Sequence, residues 1–146
     1  MSENRYESKI TRAIAPVGQV YGVLSNLQNL EKVKHLIPED KVNDIEIRDD
    51  AIRFKIDGLG QKICVKIVER AENNYIKFAL ENMPVQAHFW IQTKEVAPDD
   101  TRLKLTIGAD LPMMFRMMLE QKIRQGLDQA ADMLAQLPYD KMSGQC

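Results

Sequence analysis

The stretch Arg102-Leu103-Lys104-Leu105-Thr106-Ile107-Gly108-Ala109-Asp110-Leu111-Pro112-Met113-Met114-Phe115-Arg116-Met117-Met118-Leu119 contains a change of period. Up to Ala109 apolar and polar residues alternate, the pattern of a strand with one covered face. After Pro112 the apolar residues recur at helical spacing. Phe115, Leu119, Ile123, Gly126, Ala130, Met133 and Leu137 lie along one stripe, and Pro138 closes the segment. Pro112–Leu137 therefore reads as one long amphipathic helix placed directly after a strand.

Upstream, the period of two extends back to Val42. Ile45 and Ile47, then Ile52, Phe54 and Ile56, then Ile63, Val65 and Ile67 alternate with charged residues. Ile76, Phe78 and Leu80 follow, then Ala87, Phe89, Ile91 and Thr93, then Leu103, Leu105, Ile107 and Ala109. Asp49-Asp50, Asp57-Gly58-Leu59-Gly60, Asn73-Asn74, Met83-Pro84-Val85 and Pro98-Asp99-Asp100 are turn signals between them. Six strands joined by short loops form an antiparallel meander. The expected register sets Phe78 against Ile91 and Leu80 against Phe89. Ahead of the meander, Tyr6–Ile14 alternates as a first strand, and Pro16 opens a short helix with Val17, Val20, Tyr21 and Leu24 on its face. Leu27, Leu30, Val33 and Leu36-Ile37 give a second. The whole is an α+β chain, with a seven-stranded antiparallel sheet wrapped around a long C-terminal helix and two short helices after the first strand.

Length and composition agree with one domain spanning 1–146, with 140–146 as a frayed tail. Twenty Lys+Arg face 21 Asp+Glu, and 45% of the residues are hydrophobic, which excludes a disordered or disulfide-stapled chain. Cys64 and Cys146 stand in no metal spacing. The polar start and the lack of any apolar run of about 20 residues point to a cytoplasmic protein without a membrane span.

The element order, the segment Ile14-Ala15-Pro16 leading into a helix, and the terminal helix resemble the START-like, SRPBCC superfamily. This helix-grip group includes a birch-pollen allergen, polyketide cyclases and lipid-transfer domains. Phe54-Lys55-Ile56-Asp57-Gly58-Leu59-Gly60, Phe89-Trp90-Ile91-Gln92 and Leu103-Lys104-Leu105-Thr106 are similar to a small bacterial branch of unassigned function. The resemblance implies a cavity between helix and sheet that takes an apolar ligand. It brings no shared catalytic residues.

The residues themselves offer little catalytic chemistry. His35 and His88 stand apart from any local nucleophile and acid, and both read as surface residues. No metal spacing and no cofactor motif is present. Ser8, Gln61 and Thr93 are the inward polar positions, all near strand ends. The expectation is therefore a binder of a small apolar or amphipathic molecule, with no catalytic residues assigned. A cyclase- or hydrolase-like catalyst in the same cavity is the alternative. Four of the eight Met fall between Met113 and Met118, and Met adapts to varied apolar partners. Met114, Phe115 and Met118 are expected to form one wall of the cavity, with Phe54, Phe78 and Phe89 opposite. Lys122, roughly 20° from Phe115 around the helix, lays its stem along the apolar surface with its amine in water or, if buried, holds a carboxylate head group. Met117 should face outward, as a gate or a homodimer contact. The outer sheet face carries Arg53, Lys55, Lys62, Lys66, Lys77, Lys94, Arg102 and Lys104 around Trp90. That composition suits an anionic partner, RNA or a membrane surface. One aromatic is thin support for base stacking, so nucleic acid is not the expected partner.

Overall fold

The computed structural model describes residues 4–29, 31, 42–48, 50–56, 62–81 and 86–139, with the backbone alone at 42, 43, 56, 115 and 119. The element order is β1 (Asn4–Glu7), β2 (Thr11–Ala13), α1 (Val17–Leu24), β3 (Val42–Ile47), β4 (Ala51–Ile56), β5 (Lys62–Ala71), β6 (Tyr75–Glu81), β7 (Ala87–Ala97), β8 (Asp100–Ala109) and α2 (Met113–Ala135). The strands form one eight-stranded sheet in the order β1-β8-β7-β6-β5-β4-β3, with β2 also paired to β8. Every pairing is antiparallel. The six-strand meander and the terminal helix are as the periodicity requires. Of the expected second short helix, a single 3₁₀ turn at 27–29 is seen, and its remainder lies outside the described residues. The turn residues Asp57–Gly60 and Met83–Val85 also lie outside them, as do His35, Gln61 and Cys146.

The eighth strand arises because the expected first strand is broken. Tyr6 and Ser8 are buried, but Ile10 and Ile14 are exposed while Thr11, Ala13 and Ala15 are buried. The facing parity therefore flips between Ser8 and Thr11. Ser8 makes the flip tolerable. Its N–H donates to the Leu105 carbonyl at 2.8 Å, and its Oγ accepts the Leu105 N–H at 2.9 Å. A side-chain oxygen replaces the carbonyl that the ladder lacks, so no buried N–H is left unpaired.

The break also fixes α2. The Lys9 N–H donates to the Asp128 carboxylate at 2.7 Å, Lys9 Nζ pairs with Asp132 at 2.9 Å, and Thr11 Oγ1 donates to the Ala131 carbonyl at 3.2 Å. The helix thus packs against β8, β2 and β1 at one edge of the sheet, while α1 packs against β7 and β8. Its buried stripe is Leu127, Ala131 and Leu134, with Ile123 and Ala130 partly covered. Gly126 and Met133 are exposed. The stripe is turned from the expected one by a little less than one residue, roughly 100°. Asp128, Ala131 and Asp132, which bind the strand break, set that rotation.

The expected register between β6 and β7 is two residues off. Phe78 sits opposite Phe89, Ile76 opposite Ile91 and Leu80 opposite Ala87. A slip of two keeps every side chain on its face. The observed alignment brings the Phe78 and Phe89 rings to 5.5 Å at 39°, an aromatic pair worth about 0.5–1.5 kcal/mol beyond burial.

Replacing Ser8 by Ala would strand the Leu105 N–H in the core. The expected loss is about 1–3 kcal/mol of unfolding free energy, measured by urea denaturation. A change within error would show that the hydroxyl is dispensable to the break.

Candidate functional site

The register defines rows that cross the concave face of the sheet. One row runs Tyr6, Ile107, Phe89, Phe78, Ile67 from β1 through β8, β7 and β6 to β5. A second runs Ala109, Ala87, Leu80, Val65, Ile52, Ile47 from β8 to β3. Phe54 stands opposite Ile63 on the same face. Burial along these rows is uneven. Tyr6, Ile67, Phe78, Ala87 and Ala109 are buried, whereas Ile107, Phe89, Leu80, Val65, Ile52 and Phe54 are only partly covered. The concave face is therefore an apolar trough with incomplete cover at these positions of β4, β5, β6, β7 and β8.

The cover is incomplete because α2 is held at the β1–β2 edge by its C-terminal half. Its N-terminal half carries Met114 at 72% exposure and Met118 at 67%, contrary to the expected inward wall. Met117 is exposed as expected, and Met113 is exposed too. Lys122 is exposed. The side chains of Phe115 and Leu119 lie outside the described set. Of the seven expected ligand-binding residues, the structure brings Phe54, Phe78 and Phe89 onto one apolar surface. Met114 and Met118 lie on the half of the helix that makes no polar tie to β2, turned away from the side that carries Leu127.

One residue that the sequence reading left without a role, Tyr6, belongs to this region. Tyr6 is 3% exposed, and its ring faces the Arg124 guanidinium of α2 at 5.3 Å. Among the described residues, Tyr6 Oη and Arg116 Nε are buried side-chain polar atoms with no hydrogen-bond partner. The inward-facing parity of Tyr6 could have singled it out, since it places a phenol at the end of the aromatic row. The expected inward polar groups are otherwise occupied. Ser8 holds the strand break, and Thr93 Oγ1 donates to the Asn74 carbonyl at 3.3 Å. The Tyr139 hydroxyl donates to the Leu134 carbonyl at 2.6 Å, and burial pushes its phenol pKa up.

Surface clefts occur elsewhere. One of about 660 Å³ lies between Ile10, Arg12 and Ile14 and the end of α2 at Asp132 and Gln136. Another of about 440 Å³ is lined by Met113, Arg116, Met117 and Glu120. Neither reaches the aromatic row. No group of three or more His, Cys, Asp or Glu side chains suited to a metal occurs among the described residues, and no helix among them is long and apolar enough to cross a membrane.

On the outer face, Trp90 is half-buried rather than open to solvent. Arg5 lies over its ring at 4.8 Å, Lys77 at 5.4 Å, and the His88 ring at 6.0 Å. Among the described residues, four of the eight basic side chains of this face are ion-paired. Lys104 meets Glu7, Lys62 meets Glu46, Lys55 meets Asp44, and Arg12 and Arg102 share Asp100. Arg102 holds the Asp100 carboxyl below its ordinary pKa, and Lys62 does the same to Glu46. The net field of this face is weaker than its lysine and arginine count implies.

No family model and no curated protein sequence matches the chain. Solved structures do. Norcoclaurine synthase from Thalictrum flavum, in complex with dopamine and hydroxybenzaldehyde, is similar at a TM-score of 0.72 over 96% of this chain and 90% of that one, with 15% identity. A START superfamily protein from Mycobacterium smegmatis gives 0.56 over 89% and 98%, also at 15% identity. Ara h 8.0201 gives 0.58 over 91% and 97%, at 17% identity. The fold is the START-like helix grip. At these identities the likeness is one of architecture.

Phe78 and Phe89 should separate in a stability assay. Phe78→Ala empties a packed site and should cost about 3–5 kcal/mol, whereas Phe89→Ala, on a half-covered surface, should cost clearly less. Equal losses in thermal or urea unfolding would show that the trough is filled. For Trp90, the cations over its ring should make iodide a stronger fluorescence quencher than caesium at equal concentration. The Arg5→Gln, Lys77→Gln double variant should narrow that difference, and an unchanged ratio would show that the two cations do not shield the indole.

Proposed function

We propose that the protein binds a small apolar or amphipathic molecule in the trough between the concave sheet face and the N-terminal half of α2. The observation that carries this reading is the uneven burial of one continuous apolar surface. Phe89, Phe54, Leu80, Val65 and Ile107 share the core face yet remain partly uncovered, and the Met-rich turns of α2 are exposed. A ligand lying there would gain about 25 cal/mol per Å² of apolar surface removed from water. Met114 and Met118 would fold over it, since unbranched thioether side chains repack at low cost. Phe115 and Lys122 belong to the same proposed set, Lys122 as a solvent-side contact for an anionic head group. The bound dopamine and hydroxybenzaldehyde of the similar norcoclaurine synthase support a helix-grip fold accommodating aromatic small molecules.

Met118→Trp tests the rim. Because Met118 is exposed, the substitution should leave the unfolding midpoint nearly unchanged. It should weaken binding of apolar fluorescent probes and fatty acids, measured by titration, if the rim closes over the ligand. Failure of both wild type and variant to bind any of these probes would overturn the proposal.

A further inference from the structure

We infer that the Tyr6 hydroxyl is the polar anchor of the ligand site, and that it selects an apolar molecule carrying a carbonyl or carboxylate oxygen. The inference rests on the trough reading above and adds the chemical class of the ligand. Tyr6 is the β1 end of the row that continues through Ile107 and Phe89. Tyr6 belongs to the buried core cluster, and the next two residues of its row, Ile107 and Phe89, pack against that cluster but are partly uncovered, so the trough begins next to it. The side chain is 3% exposed, and Oη makes no hydrogen bond within the described protein. Buried hydroxyls are normally satisfied, because leaving one unpaired forfeits its hydration without compensation. A chain that places a phenol there, where Phe would pack equally well, carries an unmet hydrogen-bonding group at the end of its apolar row.

The charge nearby decides which ligand atom answers it. The Arg124 guanidinium lies 5.3 Å from the centre of the Tyr6 ring. A cation at that distance disfavours an ammonium or another strong donor and favours an atom bearing negative charge. The Tyr6 hydroxyl is itself a donor, so a ligand whose polar end is an acceptor suits it. The Tyr6 hydroxyl then donates to the ligand oxygen, and the hydrocarbon part extends along Ile107 and Phe89 toward Phe78.

The test compares 1-tetralone with tetralin, which differ by one carbonyl oxygen, on wild type and Tyr6→Phe. Wild type should bind tetralone more tightly than the variant does, by about three- to tenfold, the worth of one net hydrogen bond. Tetralin should bind both equally. The ligand-free variant should unfold at the same temperature as wild type or higher, since no protein hydrogen bond is lost. In protein labelled with ¹³C at the tyrosine Cζ, the resonance absent from Tyr6→Phe should move with tetralone and much less with tetralin. Equal binding of tetralone to both proteins would overturn the anchor and leave the trough reading standing. A lower unfolding temperature for Tyr6→Phe would also overturn it, by revealing a protein partner for the hydroxyl. Failure of wild type to bind either compound would remove the trough reading and the anchor with it.

Discussion

The arrangement of this molecule depends on one side-chain oxygen standing in for a backbone carbonyl. Ser8 Oγ accepts the Leu105 N–H where the edge of the sheet would otherwise lose a rung. That substitution lets the chain turn over between β1 and β2 without leaving a buried donor unpaired. Once it turns over, the Lys9 N–H faces outward toward α2, and Asp128 takes it. Thr11 and the Lys9 ammonium add two more ties within the same turn of helix. The C-terminal half of α2 is thereby held to the edge of the sheet, and the centre of the sheet is left with incomplete cover.

This placement divides the helix into two halves of different character. The C-terminal half buries small and branched residues, Ala131, Leu127 and Leu134, against strands it approaches closely. Small side chains there bring the backbones together, which the Thr11 bond to the Ala131 carbonyl requires. The N-terminal half carries methionine instead and makes none of the ties to β2. A rigid half and an adaptable half on one helix suit a grip that must stay attached while its rim accommodates a guest.

Much of the fold was legible in the sequence because side-chain alternation along Val42–Ala109 is regular and turn residues interrupt it at short intervals. Parity alone placed Phe54, Phe78 and Phe89 on the core face. It could not place them in register, since a slip of two preserves parity and the stacking of Phe78 on Phe89 decides between alternatives. The strand break was not legible for a related reason. Ser8 is polar and fits either face of a strand, so nothing in the alternation marks it as the residue that replaces a carbonyl. The rotation of α2 followed from that omission. Its apolar stripe read correctly as amphipathic, but nothing in the spacing marks Asp128 and Asp132 as ligands of the strand edge. Met114 and Met118 were accordingly assigned to a wall they do not form in this structure. Tyr6 was on the correct face by parity, but its lack of a partner emerges only when every neighbour is in place.

The broken strand has a consequence for solubility as well as for packing. Any open sheet ends in strands whose outer N–H and C=O groups can pair with another chain, and long, flat edges template aggregation. Here one edge is divided into β1 and β2, of four and three residues, with the chain turning over between them. The opposite edge, β3, is interrupted by a register shift between Asn43 and Glu46, where Asp44 takes a φ of 54°. Neither edge offers an unbroken run of outward-facing backbone groups long enough to seed intermolecular β-pairing. The device that tethers the helix therefore also discourages the sheet from growing.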